Sequence, residues 1–201
     1  AIDGSMFEIP NTKELREIFK TQKNSSGHRE SARARVSGIY DIENEFIIDA
    51  VITDCEQGEK NLAKRNVTEA GKIIDLTKSI IIFDRGYPGV DLIWFLEKIG
   101  VKYIFRLQST NMYEKEKGRM ITNDEWVDLN VCGDRLRKIE DETIKKELKE
   151  KKNIPVRFTK VVLDTGEIEY LLSNISETII PENEMKDAYF KRWQIEIGYD
   201  I

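Results

Sequence analysis

The stretch from residue 79 to residue 107 constrains the fold more than any other part of the chain. It opens with Ser79-Ile80-Ile81-Ile82-Phe83, a short apolar run rich in β-branched residues that stops abruptly at Asp84-Arg85-Gly86. Residues 90–99 then follow a helical pattern closed by Gly100, and residues 102–107 form a second strand-like run. Strand, helix, strand at this spacing is a βαβ unit, and it argues for parallel pairing of the two strands. A parallel sheet is covered on both faces, so the chain needs an α/β core. Asp84 is thereby placed at the carboxyl end of a buried strand, where open α/β sheets put their ligands.

The rest of the chain fits around that unit. Residues 34–40 and 46–53 read as strands flanking the turn-forming stretch Asp41-Ile42-Glu43-Asn44, which predicts a β-hairpin. The second run alternates only partly, which predicts burial on both faces. Residues 59–75 carry Leu62, Ala63, Val67, Ala70, Ile73 and Ile74 at helical spacing. From 108 to 176 the sequence becomes charged and poorly periodic, with one clear hairpin made of residues 156–163, the turn Asp164-Thr165-Gly166, and residues 168–173. Within it, residues 134–152 place Leu136, Ile139, Ile144 and Leu148 at helical spacing in so charged a context that an exposed helix and a mobile loop fit equally. Pro181-Glu182-Asn183-Glu184 opens a helix predicted to run to the chain end, with acids in its first turn as the macrodipole favours.

At 201 residues, with 40% hydrophobic and 34% charged, the chain suits one large domain or one domain with a sizeable insertion. No apolar run approaches the roughly 20 residues that cross a bilayer. Cys55 and Cys132 form no CxxC pair, so a reducing intracellular compartment is the expected setting and both read as small apolar fillers. The start at Ala1-Ile2-Asp3 without Met, and the end inside a helical pattern, read as an excised piece of a longer protein. Lys and Arg number 32 against 37 Asp and Glu, a net charge of −5, so composition alone gives no support to a nucleic-acid partner. A single histidine, His28, excludes His-rich zinc sites and most triads, which leaves carboxylates as the chemistry on offer.

With so many acids, only those in unusual context count. Asp84 is one, with a strand-end cap as its plain alternative. Asp3 follows Ala1-Ile2 and precedes Gly4-Ser5, a strand and flexible turn in which the glycine lets a bulky ligand approach; an ordinary turn aspartate is its alternative. Glu196 shares a helix face with Tyr189 and Arg192 at offsets of three and seven. An exposed Arg192–Glu196 ion pair would explain the spacing, but the run Tyr189-Phe190-Lys191-Arg192-Trp193-Gln194-Ile195-Glu196 packs aromatics around the charges, as a buried or ligand-covered site does.

These residues together resemble the DDE transposases of bacterial insertion sequences, and specifically the insertion-sequence-four-like group with a Tyr-Arg-Glu-Lys signature. Ala1-Ile2-Asp3-Gly4-Ser5 resembles the first acidic strand, Ile82-Phe83-Asp84-Arg85-Gly86-Tyr87 the second, and Tyr189-x2-Arg192-x3-Glu196 the signature helix. The likeness spans nearly the whole chain in the family's order, although the signature lysine would fall beyond Ile201. Gly198 and Tyr199 also stand where a longer charged helix would continue.

The resemblance implies a ribonuclease H-like mixed sheet flanked by helices, with a β-rich insertion before the last catalytic helix. Residues 1–107 would form the first part of the core, 108–176 the insertion and 177–201 the core-completing helix. The separation of Asp84 from Glu196 far exceeds the roughly 30 residues of one βαβ step and leaves room for that insertion.

The resemblance also implies Asp3, Asp84 and Glu196 as catalytic acids holding two Mg²⁺ or Mn²⁺ ions, which would cleave DNA phosphodiesters and carry out strand transfer. Double-stranded DNA, as transposon ends and target, would be the partner, bound by a homodimer of the full-length protein in the bacterial cytoplasm at the nucleoid. Tyr189 and Arg192 would contact phosphate, with Arg85 beside them. The locally basic run His28-Arg29-Glu30-Ser31-Ala32-Arg33-Ala34-Arg35 adds Arg33 and Arg35, with a solvated edge as the equal alternative. Trp126 fits a core position better than a base-stacking one. The rival functional readings are a ribonuclease H-like nuclease without strand transfer, and a catalytically inactive remnant or interaction domain that keeps the fold.

Overall fold

A computed structural model describes residues 1–23 and 30–199. His28 and Arg29 therefore lie outside the described residues. By their contacts the residues divide into two compact units, Ala1–Ile74 with Ile195–Ile201, and Asp75–Gln194.

The first unit contains β1 (Ile2–Glu8), α1 (Lys13–Phe19), β2 (Thr21–Lys23), β3 (Glu30–Asp41), β4 (Phe46–Asp54) and α2 (Glu59–Ala70). Its sheet is antiparallel and organised by β3, which pairs with β1, β2 and β4. The predicted hairpin is present, and Asp41 sets its turn by accepting the Glu43 and Asn44 amides on Oδ1 at 3.0 and 3.1 Å. β4 is not buried on both faces as its pattern predicts. Among the described residues it pairs with β3 alone, and Ile47 and Ile52 are exposed. Partial alternation here marks an outer strand with one face toward α2.

α2 buries Leu62, Ala63, Asn66, Val67 and Ala70 and is tied to the sheet by polar contacts. The Ser37 hydroxyl donates to Asn66 Oδ1 at 2.7 Å, and Asn66 Nδ2 donates to Asp49 Oδ2 at 2.7 Å. The helix ends at Ala70, short of the predicted residue 75. Asp75 instead caps a separate 3₁₀ turn, Leu76–Lys78, by accepting the Thr77 amide, and Ile73 points to solvent.

The second unit holds the βαβ step: β5 (Ile80–Phe83), α3 (Val90–Lys98) and β6 (Lys102–Arg106). β5 and β6 are parallel, with Phe83 opposite Phe105, as the sequence predicts. α3 covers them with Val90, Leu92, Ile93 and Leu96, and Gly100 at φ +71 allows the reversal into β6. Next come α4 (Glu114–Lys117), β7 (Asp124–Asn130), α5 (Asp134–Arg137), α6 (Glu142–Lys151), β8 (Asn153–Val162) and β9 (Ile168–Ser173). The strand order is β5-β6-β9-β8-β7, and every pairing after the first is antiparallel. The hairpin predicted within the charged region thus extends the mixed sheet edge to edge.

The open choice for residues 134–152 resolves into two helices, α5 and α6, with a break at residues 138–141. Asp141 caps α6 by accepting the Thr143 and Ile144 amides, while Ile144 and Leu148 are buried. Cys132 is exposed, a correction to its reading as an apolar filler, while Cys55 is buried.

The final segment is not one continuous α-helix. A 3₁₀ turn at Glu182–Glu184 leads into α7 (Met185–Phe190), a second 3₁₀ turn spans Lys191–Trp193, and α8 covers Gln194–Tyr199. Side chains three apart eclipse in a 3₁₀ turn. From α7 into this turn, Tyr189 and Arg192 are both buried, while Phe190 and Trp193 both stay in contact with solvent. The result is an α/β fold with a mixed sheet flanked by helices, of the ribonuclease H-like kind.

Candidate active site

Asp84 follows the buried run Ile81, Ile82 and Phe83, and its own carbonyl accepts the Tyr87 amide at 3.1 Å. That contact closes a turn whose middle residues, Arg85 and Gly86, are exposed. The Phe83 ring stacks on Phe105 with centroids 4.5 Å apart, which locks the ends of β5 and β6 side by side. The residues after that pair, Asp84 and Arg106, are therefore neighbours at the carboxyl edge.

Three side chains define Asp84's surroundings. The Tyr189 hydroxyl donates to Asp84 Oδ1 at 3.3 Å, and Arg106 Nη1 lies 3.9 Å from the same oxygen. The other arm of Arg106 forms an ion pair with Glu169 of β9. Burial, and then the negative charge of Asp84, push the Tyr189 hydroxyl well above its usual range, so it stays a neutral donor. Arg192 is only 3% exposed, and its guanidinium lies 4.9 Å from the centre of the Trp193 ring. A solvated Arg192 on an open helix face is thus excluded.

The segment that leads to α7 is held by a buried charge. Arg157 of β8 is fully buried and makes a bidentate pair with Asp124 at 2.8 and 2.7 Å. Its Nη1 also donates to the carbonyls of Ile175 and Ile180, at 3.1 and 2.7 Å. Trp126 is 45% exposed and donates to Glu177 in the same segment, which corrects its reading as a core residue.

In the first unit, Asp3 lies on β1 opposite Gly38, so no side chain crowds it from that neighbouring position. Its Oδ1 accepts the Gly4 amide at 2.8 Å. Glu196 follows Ile195, a buried residue that packs with Ala1 and Tyr40. The start of α8 is thus seated at the end of β1 that carries Asp3. Of the two basic candidates, Arg33 lies 3.7 Å from Glu8 and Arg35 is bound to Glu59 of α2 at 2.5 Å.

The second unit therefore gathers Asp84, Tyr189, Arg106 and Glu169, and the first seats Glu196 near the strand of Asp3. Within either unit, among the described residues, no three His, Cys, Asp or Glu side chains form a metal-holding group. Arg106 and Glu169 escaped the sequence reading. Arg106 was within reach of it, because aligning the two parallel strands by Phe83 and Phe105 puts it beside Asp84. Glu169 was not, because the pairing of β6 with β9 joins residues far apart in the chain.

Fold and cluster together define a ribonuclease H-like α/β protein with an acid at the carboxyl edge of its parallel strands. The family described as "Transposase DDE domain" matches residues 1–200, and the chain belongs to that family. It is a transposase catalytic domain. A search of curated proteins finds no match. Among the described residues no helix is long and apolar enough to cross a membrane.

Proposed function

We propose that the domain belongs to the insertion-sequence-four-like group and that Asp3, Asp84 and Glu196 are its catalytic acids. The observation that carries this reading is the hydrogen bond from Tyr189 to Asp84, because it joins the second acidic strand to the start of the segment with the Tyr-Arg-Glu order. The three acids offer hard oxygen donors, a set that fits Mg²⁺ or Mn²⁺. Asp3, Asp84 and Glu196 would hold two such ions, which would supply charge neutralisation for a phosphodiester and activation of water or a DNA 3′-hydroxyl as nucleophile.

The remaining roles belong to the protein itself. Tyr189, fixed as a neutral donor, orients the Asp84 carboxylate. Arg192, buried behind it, supplies a permanent positive charge that favours a phosphate at the site. Arg85, exposed in the turn after Asp84, contacts the DNA backbone, and Arg33 of the first unit is a further phosphate contact. Arg35 anchors α2 through Glu59, so its share in DNA contact requires a change of partner. The substrate is double-stranded DNA at transposon ends and target, engaged by a pair of full-length chains.

Incubation with DNA carrying the ends of the encoding element, in Mg²⁺ or Mn²⁺, should give strand nicking. Asp84→Asn should slow it at least 100-fold, beyond the ~10–100-fold typical of partners that only orient a metal ligand. Equal nicking by the variant would overturn the assignment.

A further inference from the structure

The cations around Asp84 are unequally engaged, and the inequality has a structural cause. Arg106 sits opposite Leu171 in the β6–β9 ladder, and the Leu107 amide donates to the Tyr170 carbonyl at 2.9 Å, so this register is firmly held. Glu169 is two residues from Leu171 and so on the same face, diagonal to Arg106 and within reach of its long side chain. Asp84, Arg106 and Glu169 thus form a row across three adjacent strands, with one guanidinium between two carboxylates.

A guanidinium beside a carboxylate ordinarily closes on it as a bidentate pair at about 2.7–2.9 Å. Here Arg106 pairs closely with Glu169 but stays 3.9 Å from Asp84, beyond hydrogen-bond distance. The Glu169 side chain is 13% exposed against 31% for Asp84, so its attraction for the shared cation is less screened by water. We propose that Glu169 is a positioning residue: it retains Arg106, keeping that cation beside Asp84 without letting it close on the carboxylate, and so leaves Asp84 open to a divalent cation. This rests on the reading of Asp84 as a metal ligand.

In the absence of Glu169, Asp84 is the carboxylate left within ion-pair range of Arg106 among the described residues. A closed Arg106–Asp84 pair occupies the oxygens a metal would use, and the ion then has to displace it. The predicted defect is therefore caused by Arg106 and disappears when Arg106 is also neutralised. A purely structural role for Glu169 predicts the reverse, since a second substitution in the same row would add damage.

Mn²⁺ binding to the 201-residue chain, followed by the paramagnetic resonance signal of the free ion, distinguishes these cases. Melting curves check that each variant is folded. Glu169→Gln should weaken Mn²⁺ binding about 10-fold, the scale on which outer partners tune metal sites. Glu169→Gln with Arg106→Gln should return it to near the original value. Unchanged binding in Glu169→Gln, or a double variant as weak as the single one, would overturn the proposal while leaving Asp84 as a ligand. Unchanged binding in Asp84→Asn would instead remove the metal reading itself, and this inference with it.

Discussion

Asp84 and Asp3 are both acids in strand context, yet they are held in different ways. Asp84 takes its setting from side chains distant in sequence: Tyr189 on α7, and Arg106, itself paired with Glu169. Asp3 has a bond to the amide of the next residue, Gly4, and faces Gly38 across the ladder. The Asp3–Gly4 bond forms wherever β1 is formed, whereas Asp84 keeps its geometry only while an entire sheet, with its added hairpin, is in register.

The largest test of that difference is Arg157→Ala. It strands Asp124 without its buried partner and frees the carbonyls of Ile175 and Ile180, so it should cost about 3–5 kcal/mol in urea unfolding. It should also loosen the Tyr189–Asp84 bond, seen as faster exchange and shifted signals around Asp84, with those around Asp3 unchanged. Signals moving equally at both acids would break the comparison.

Tyr189→Phe should have a smaller effect, about 1 kcal/mol at neutral pH for one hydrogen bond. Its pH dependence has a definite sign. The folded hydroxyl titrates above the usual 10.0, so its contribution is complete below pH 10 and is lost as pH rises from there toward the folded value. The variant should therefore lose stability less steeply above pH 10 than the parent, as followed by alkaline unfolding. Tyr103 and Tyr113, also pushed upward by burial in the same unit, keep part of the slope in both proteins.

The smallest expected change is in the stability of Asp3→Asn. An amide side chain retains an oxygen that can accept from Gly4, and the site is partly exposed, so the shift should stay within about 0.5 kcal/mol. A loss of several kcal/mol would contradict a side chain whose setting Asn can reproduce.

What the sequence made legible follows from the range of the interactions involved. The βαβ unit, its parallel pairing and both hairpins rest on local patterns, and their strands lie within a few residues of the expected positions. The exposed face of β4 was hidden because burial depends on neighbours that a strand's own pattern does not name. β7 was missed because Asp124, Glu125 and Asp128 make it read as a charged loop, although Asp124 faces inward to Arg157. The 3₁₀ turn at Lys191–Trp193 lies in residues whose α-helical spacing is equally good. At the site, Asp84 was visible as an acid ending an apolar run and Tyr189 and Arg192 as a helix stripe, while Glu169 becomes visible only through the β6–β9 register.

The most direct test of the central claim is an anomalous-difference map of crystals of this chain soaked in Mn²⁺. The account predicts a peak bound by Asp84, with Asp3 and Glu196 oxygens completing the protein's share of the coordination. Three acids lying apart, or a Mn²⁺ peak bound elsewhere with none at Asp84, would contradict it.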